Sequence, residues 1–397
     1  MMKQELIGDL IGRISSPSDL RVDHHRNRYV ESVTVNADSF FRMKIDRLDP
    51  IALLDCRNIK MRFNVTCTST DAGICLANNS AYPFQSVRVL CGTKVVVDIN
   101  NAALLNSILY NSTQDNSISA YEQSITGDTD LFTRQAAADG VKEYMITMFP
   151  PNTFLNGDHL LDVNNMADLT LEFRTLRNSQ YLFSPLNVNT SSYQLSNIAI
   201  EYPYIFSASL AAHFRSYPMS FTCYDYTYSY DTAALTSTQL QVPSSKSSLN
   251  GLLLVMRDVN VENTFNTLTK MTQFNSNNLA DMNLLINQVR FFDNNIDSYN
   301  LLFQELCHFV PQARIATFFT SAYNATRFLL GVRLAAAPPA FREVITSGVK
   351  TASLNNNIII QLNFAAAPTT LQRCDIFLQS DYIVSLTPNS REIEIKY

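Results

Sequence analysis

The sequence predicts an all-β protein built from two β-sandwiches in tandem, each of about eight strands with one short helix among them, behind an N-terminal helical arm. Three observations predict it. At 397 residues the chain exceeds what one hydrophobic core usually organises. Most apolar residues recur with a period of two, which puts successive side chains on opposite faces of an extended strand. Three elements also recur in the same order in the two halves, which points to one fold used twice.

The arm comes first. Leu6, Ile7, Leu10, Ile11 and Ile14 share one helical stripe over residues 3–14, with Lys3, Gln4, Asp9 and Arg13 off it. Ser15, Ser16, Pro17 and Ser18 end that helix, and Arg21, Arg26 and Arg28 follow in a polar stretch, so residues 1–28 read as an arm outside the sandwich.

Residues 29–206 then read as the first sandwich. Phe41, Met43 and Ile45 alternate with Arg42, Lys44 and Asp46, and Ile59, Met61, Phe63, Val65 and Cys67 alternate with Lys60, Arg62, Asn64 and Thr66. Similar segments follow at 87–91, 95–99, 144–149, 169–173 and 193–205, separated by Asn, Ser, Asp and Pro clusters. After a linker at 207–215, residues 216–397 repeat the plan: Tyr224, Tyr226, Tyr228 and Tyr230 alternate with Asp225, Thr227 and Ser229. Further strands are expected at 252–259, 284–292, 327–334, 358–364, 376–386 and 392–397. Ile393, Ile395 and Tyr397 alternate to the last residue, so that segment is expected in a sheet.

The repeat is faint but ordered. Ser86 to Leu90 corresponds to Gln288 to Phe292, an apolar strand with the same Val-Arg pair. The strongest helix candidate follows in each half, with Leu104, Leu105 and Leu109 matched by Leu301, Leu302 and Leu306. In the final strand Ile198, Tyr204 and Ile205 correspond to Ile376, Tyr382 and Ile383.

Composition excludes several functions. Hydrophobic residues make up 46% and charged residues only 16%, which suggests that much of the surface ends up covered by other protein. A net charge of -5 argues against a chain whose main surface grips phosphates, so no specific nucleic-acid recognition is expected. Cys56, Cys67, Cys75, Cys91, Cys223, Cys307 and Cys374 are odd in number and scattered, and read as reduced core residues of a chain folded in a reducing compartment, cytoplasm or nucleus. No stretch reaches the roughly 18 consecutive apolar residues of a membrane span, and the N-terminus lacks a signal peptide's apolar core.

No motif rises to a site. The 10 glycines form neither GxGxxG nor GxxxxGK[ST], so the usual phosphate cradles are missing and no cofactor is expected. His24 and His25 beside Asp23 could offer metal ligands, but neighbours on an extended chain project apart and no fourth ligand stands nearby. His159, His213 and His308 have no nucleophile at a telling distance, and neither HExxH nor GxSxG occurs. Glu392 and Glu394 lie on the outer face of one expected strand, where a glycosidase needs carboxylates opposed across a cleft. The Tyr224–Tyr230 stripe could stack on sugars, although core packing or a seam between subunits fits it better. No catalytic, cofactor-binding or metal-ligating residue is therefore assigned.

Element order carries a resemblance. A sandwich with one helix among its middle strands, duplicated in some 400 residues, resembles the double jelly-roll major capsid proteins of the tectivirus and adenovirus lineage. Asp55 to Cys67, Tyr82-Pro83-Phe84 to Ile99, Tyr144 to Phe173 and Asp297 to Phe309 look like the pattern in Polinton-like and virophage coat proteins. The resemblance implies two tandem eight-stranded jelly rolls and a non-enzymatic structural role in the virion. It implies a homotrimer with pseudo-hexagonal edges that meets neighbouring capsomers and tiles an icosahedral shell, because three copies present six similar lobes. Penton and minor capsid proteins would be its other partners, and residues 1–28 could reach an inner membrane or genome. The alternatives from other classes are a carbohydrate-binding, lectin-like attachment protein and a β-sandwich glycosidase.

Overall fold

Alternation becomes strand wherever one face can be buried. In the computed structural model the segment Lys60–Thr68 extends with Met61, Phe63, Val65 and Cys67 inward and Lys60 exposed, as its period of two requires. The structure describes residues 21–29, 34–77, 80–113, 134–135, 141–208, 210–211, 219–231, 235–265, 271, 274–314, 323, 327–335, 348–351, 358–386 and 391–396. The helix expected over residues 3–14 lies outside them.

In the first half the strands are β1 (Arg21–Arg28), β2 (Thr34–Asn36), β3 (Phe40–Ile45), β4 (Ala52–Asp55), β5 (Lys60–Thr68), β6 (Cys75–Leu76), β7 (Phe84–Cys91), β8 (Lys94–Asn100), β9 (Arg134–Gln135), β10 (Val141–Thr147), β11 (Leu160–Leu161), β12 (Leu169–Thr175), β13 (Leu182–Phe183) and β14 (Ser192–Phe206). The second half supplies β15 (Met219–Asp231), β16 (Ser237–Val242), β17 (Leu249–Asp258), β18 (Leu279–Ile286), β19 (Val289–Arg290), β20 (Leu330–Arg333), β21 (Ile358–Phe364), β22 (Gln372–Leu386) and β23 (Ile393–Lys396). The helices are α1 (Ala102–Thr113), the single turn α2 (Asn178–Tyr181) and α3 (Tyr299–Phe309).

The two halves pair their strands in the same order. One sheet runs β10-β5-β14 and continues to β1 and β2 on the far edge of β14; its counterpart runs β20-β17-β22-β15. The second sheet of each half runs β3-β12-β7-β8 and β16-β21-β18-β19. Strand for strand, β1 with β2 corresponds to β15, β5 to β17, β7 to β18, β8 to β19 and β14 to β22. Among the described residues the named strands all pair antiparallel, and each half is a jelly roll. The chain is an all-β double jelly roll.

Large aromatic rings fill the first core. Phe84 lies 4.8 Å from Phe173 and 6.0 Å from Phe41 within one sheet, and 6.5 Å from Phe63 across to the other. Buried tyrosines put their rings in the same core and donate to carbonyls of connecting segments: Tyr181 to Ala81 at 2.9 Å and Tyr193 to Leu176 at 2.6 Å. In the second half β17 is buried along both faces, which explains why Leu252 to Met256 reads as a continuous apolar run. Gly251 and Gly331 admit α3 onto one of those faces, where Phe309 and Leu306 sit over them.

Three expectations change. Residues 21–28 were read as part of an arm, yet they form β1, paired along its length with β14 from Arg21↔Phe206 to Arg28↔Ala199. No residue of β1 is fully buried, so it has no apolar alternation to betray it. The single strand expected over 284–292 is a hairpin, β18 and β19, turning at Asn287 and Gln288 with φ of 55° and 66°. Two positive-φ residues make the tight turn that matches strand twist, and Asn-Gln is not its usual sequence. Consequently Ser86 to Leu90 lies in β7 while Val289–Arg290 corresponds to β8, and their sequence match is one strand out of step. The helix match and the final-strand match keep their places, since α1 follows β8 as α3 follows β19.

Candidate functional site

What the chain presents chemically is a joint between its halves and the surfaces that the joint leaves open. Main-chain bonds cross it: Thr222 N donates to Asn152 O at 2.8 Å and Ser184 N to Phe265 O at 2.9 Å. Ser107 Oγ, on α1, donates to Met271 O at 2.8 Å. The C-terminal segment reaches back as well. Ala167 N donates to Arg391 O at 2.7 Å, and Lys94 Nζ, at the start of β8, to Ile393 O at 2.6 Å on β23. Phe221 of β15 packs on Phe154 at 5.2 Å and on the buried His159 ring at 4.9 Å. Strand β15 therefore runs beside β8, and Val96 and Val97 of β8 are buried.

The buried Arg257, Glu262 and Asp375 and the half-buried Arg373 cluster at one end of this joint. Arg257 Nη2 lies 2.7 Å from Asp375 Oδ2 and 2.7 Å from Glu262 Oε1, and Arg373 Nε lies 3.0 Å from Asp375 Oδ1. The Tyr226 hydroxyl donates to Asp375 at 2.5 Å. The first half closes the cluster: Gln180 Nε2, on α2, donates to Glu262 Oε2 at 3.0 Å, and Ser179 Oγ to Glu262 O at 3.0 Å. Burial works against the charge on Glu262, but Arg257 and Arg373 outweigh it and hold the carboxyl below its ordinary range. Burial likewise works against the Arg257 charge, and Asp375 and Glu262 overcome it. Two positive and two negative groups so matched form a polar fastening between the halves.

The tyrosine stripe runs from this cluster into solvent. Tyr224 is buried, Tyr226 is bonded to Asp375, and only Tyr228 and Tyr230 stand open, 51% and 48% exposed. The Arg373 guanidinium covers Tyr228 at 4.8 Å. Tyr228 and Tyr230 meet edge-on at 74°, so they offer no single flat platform for a sugar ring.

Other singled-out residues remain apart. His24 is exposed on β1, and His25 turns to the opposite side to pack on Tyr202 at 5.5 Å. Both histidines nevertheless line one open recess of about 640 Å³ beside β1, with Arg26, Lys60, Glu201 and Pro203. Arg26 pairs there with Glu201 at 2.6 Å. His159 Nε2 is 2.9 Å from Phe154 O, and His308 lies 3.4 Å from Glu305 on its own helix. His213 is outside the described residues. Glu392 and Glu394 are both exposed on one side of the last strand segment. All seven cysteines are buried, and none is in a disulfide. Among the described residues no group of three or more His, Cys, Asp or Glu is placed to hold a metal ion, and no helix is long and apolar enough to cross a membrane. Sequence reasoning missed the Arg257, Glu262, Arg373 and Asp375 cluster. Its only trace was Arg257 directly after the apolar run Leu252 to Met256 of β17, and Arg373 and Asp375 directly before Ile376 to Leu378 of β22.

No protein-family model and no curated protein matches this sequence. Solved structures do match its fold. VP54 of PBCV-1, in a crystal structure fitted into a cryo-EM reconstruction of the virophage Sputnik, superposes with a TM-score of 0.65 at 11% identity, over 95% of this chain and 97% of that one. A chain of the Sputnik virophage structure superposes at 0.65 with 10% identity, covering 95% and 88%. The Faustovirus major capsid protein superposes at 0.59 with 8% identity, covering 93% and 91%. The fold shared over nearly the full length is the double jelly roll.

Proposed function

We propose that this chain is a viral major capsid protein whose role is structural: it trimerises into pseudo-hexagonal capsomers that tile an icosahedral shell. The observation that carries the reading is the repeated strand order, two jelly rolls fixed to each other by a buried joint. Three such chains present six similar lobes at nearly equal spacing, which is the geometry a closed lattice needs. The matches to a Faustovirus major capsid protein and to a chain of the PBCV-1 virus capsid support it, since they cover 93% and 95% of this chain. The matched, buried charges of the joint suit a rigid building block better than a catalyst.

In this reading the partners are other copies of the chain, in its own capsomer and in neighbouring ones, with penton and minor capsid proteins at the lattice breaks. The segment before β1 would face an inner membrane or genome. The chain would fold reduced, in cytoplasm or nucleus, before joining the virion. Mass in solution together with negative-stain images tests the reading: trimers with a hexagonal outline are expected, and a monomer with no tendency to assemble would sink it.

A further inference from the structure

The first sheet of the first half has a gap, and hydrogen-bond donors border it. Strand β14 pairs with β5 up to Glu201↔Lys60 and with β4 from Tyr204↔Leu54 onward, so Tyr202 and Pro203 have a strand partner on the β1 side alone. Pro203 brings no N–H to the open side. The chain passes from β4 to β5 through the short turn Cys56–Asn58, and Asn58, Lys60, Tyr202 and Pro203 all line the recess of about 640 Å³. Both faces of β1 contribute to it, His24 and Arg26 from one and His25 from the other.

We infer that this recess binds a phosphate-type oxyanion, carried by a small soluble molecule or by a lipid headgroup. Glu201 is the one carboxylate among the lining residues, and it is already matched: Arg26 Nη2 lies 2.6 Å from its Oε1 and Arg62 Nε 3.7 Å from it. Lys60 and His24, both exposed, therefore line the recess with no carboxylate of their own among the described residues. Donors outnumber acceptors there, since the Lys60 ammonium, the Arg26 guanidinium, the Asn58 amide and the imidazole N–H groups share one concave space. A tetrahedral oxyanion answers such a set because it accepts in several directions at once, and lysine serves it as a point charge. The chain as a whole carries a net charge of -5, so the recess reverses the overall sign locally and focuses that field in a cleft. Its volume falls in the range of small-ligand sites, roughly 300–1,000 Å³. Every group belongs to a single chain, so the site does not depend on the proposed self-assembly.

Titration calorimetry of the full-length protein with pyrophosphate, at constant ionic strength, tests the inference, and saturable binding is expected. Lys60→Met should weaken it about tenfold, and Lys60→Arg should restore most of the loss. His24→Gln should weaken it by less. Arg28→Met removes an exposed charge from the same strand outside the recess and should leave affinity unchanged. All three positions are exposed, so the melting temperature without ligand should stay that of the native chain in every variant. Flotation with phosphatidylcholine vesicles containing phosphatidic acid separates the two sources: flotation lost in Lys60→Met assigns the site to a headgroup, and calorimetric binding without flotation assigns it to a soluble molecule. No saturable binding in either assay, or equal loss in Lys60→Met and Arg28→Met, would overturn the site and leave the capsid reading standing. A monomer that never assembles yet binds pyrophosphate would do the reverse.

Discussion

Arg257 and Asp375 form an ion pair with almost no solvent contact, Nη2 to Oδ2 2.7 Å, between neighbouring strands β17 and β22. Glu262 and Arg373 complete it, and Gln180 of the other half holds Glu262. Removing one member leaves a buried charge uncompensated, which costs far more than the pair itself contributes. Asp375→Asn is expected to lower unfolding free energy by about 3–5 kcal/mol, read from denaturant midpoints. The double variant Arg257→Met, Asp375→Leu should lose less than Asp375→Asn alone. Equal or greater loss would show that the pair is a net stabiliser.

The same cluster sets an acid response. Glu262 titrates below its ordinary value in the folded chain, so in the acid range the unfolded chain binds the extra proton first. Its contribution is present above the ordinary glutamate pKa of about 4.3 and is lost as pH falls through the lower folded value. Melting temperature should therefore drop more steeply below about pH 4.5 in the native chain than in Glu262→Gln. The variant should begin from a lower value at neutral pH. Parallel curves would remove Glu262 from the account.

How much of this could be read from the sequence depends on which faces are buried. Strands with one wet face declared themselves, as Met61, Phe63, Val65 and Cys67 do on β5. Strand β1 did not, because its hydrogen bonds to β14 hold it in the sheet while both its faces keep polar side chains. The β18–β19 turn was hidden by Asn287-Gln288, whose positive φ values are set by the hairpin rather than announced by a glycine. The helices at Leu104 and Leu301 were legible because both follow a strand and carry a leucine face. The joint was not, since partners such as Gln180 and Glu262 lie 82 positions apart and no local period links them.

Packing at α3 gives a sharper test. A Cβ on Gly251 would fall 2.3 Å from Phe309 Cε2 and 2.6 Å from Val332 O, so either the helix or the strand must move. Gly251→Ala is expected to cost about 1–3 kcal/mol by overpacking, measured by thermal or denaturant unfolding. Phe309→Leu in the same chain should return part of that loss by clearing the ring. If the two costs simply add, the contact is not what constrains Gly251.

Burial raises the Cys67 and Cys223 thiols to about 12 and the Cys91 thiol to about 11, so each is almost wholly protonated at neutral pH. All seven are buried, and none is in a disulfide. A thiol reagent such as Ellman's is expected to find no reactive group in the native protein at pH 8 and all seven after denaturation. Rapid reaction of even one thiol in native protein would mean that a core strand opens at equilibrium. Fewer than seven after denaturation without reductant would mean that a disulfide had formed, against the expectation of a reducing compartment.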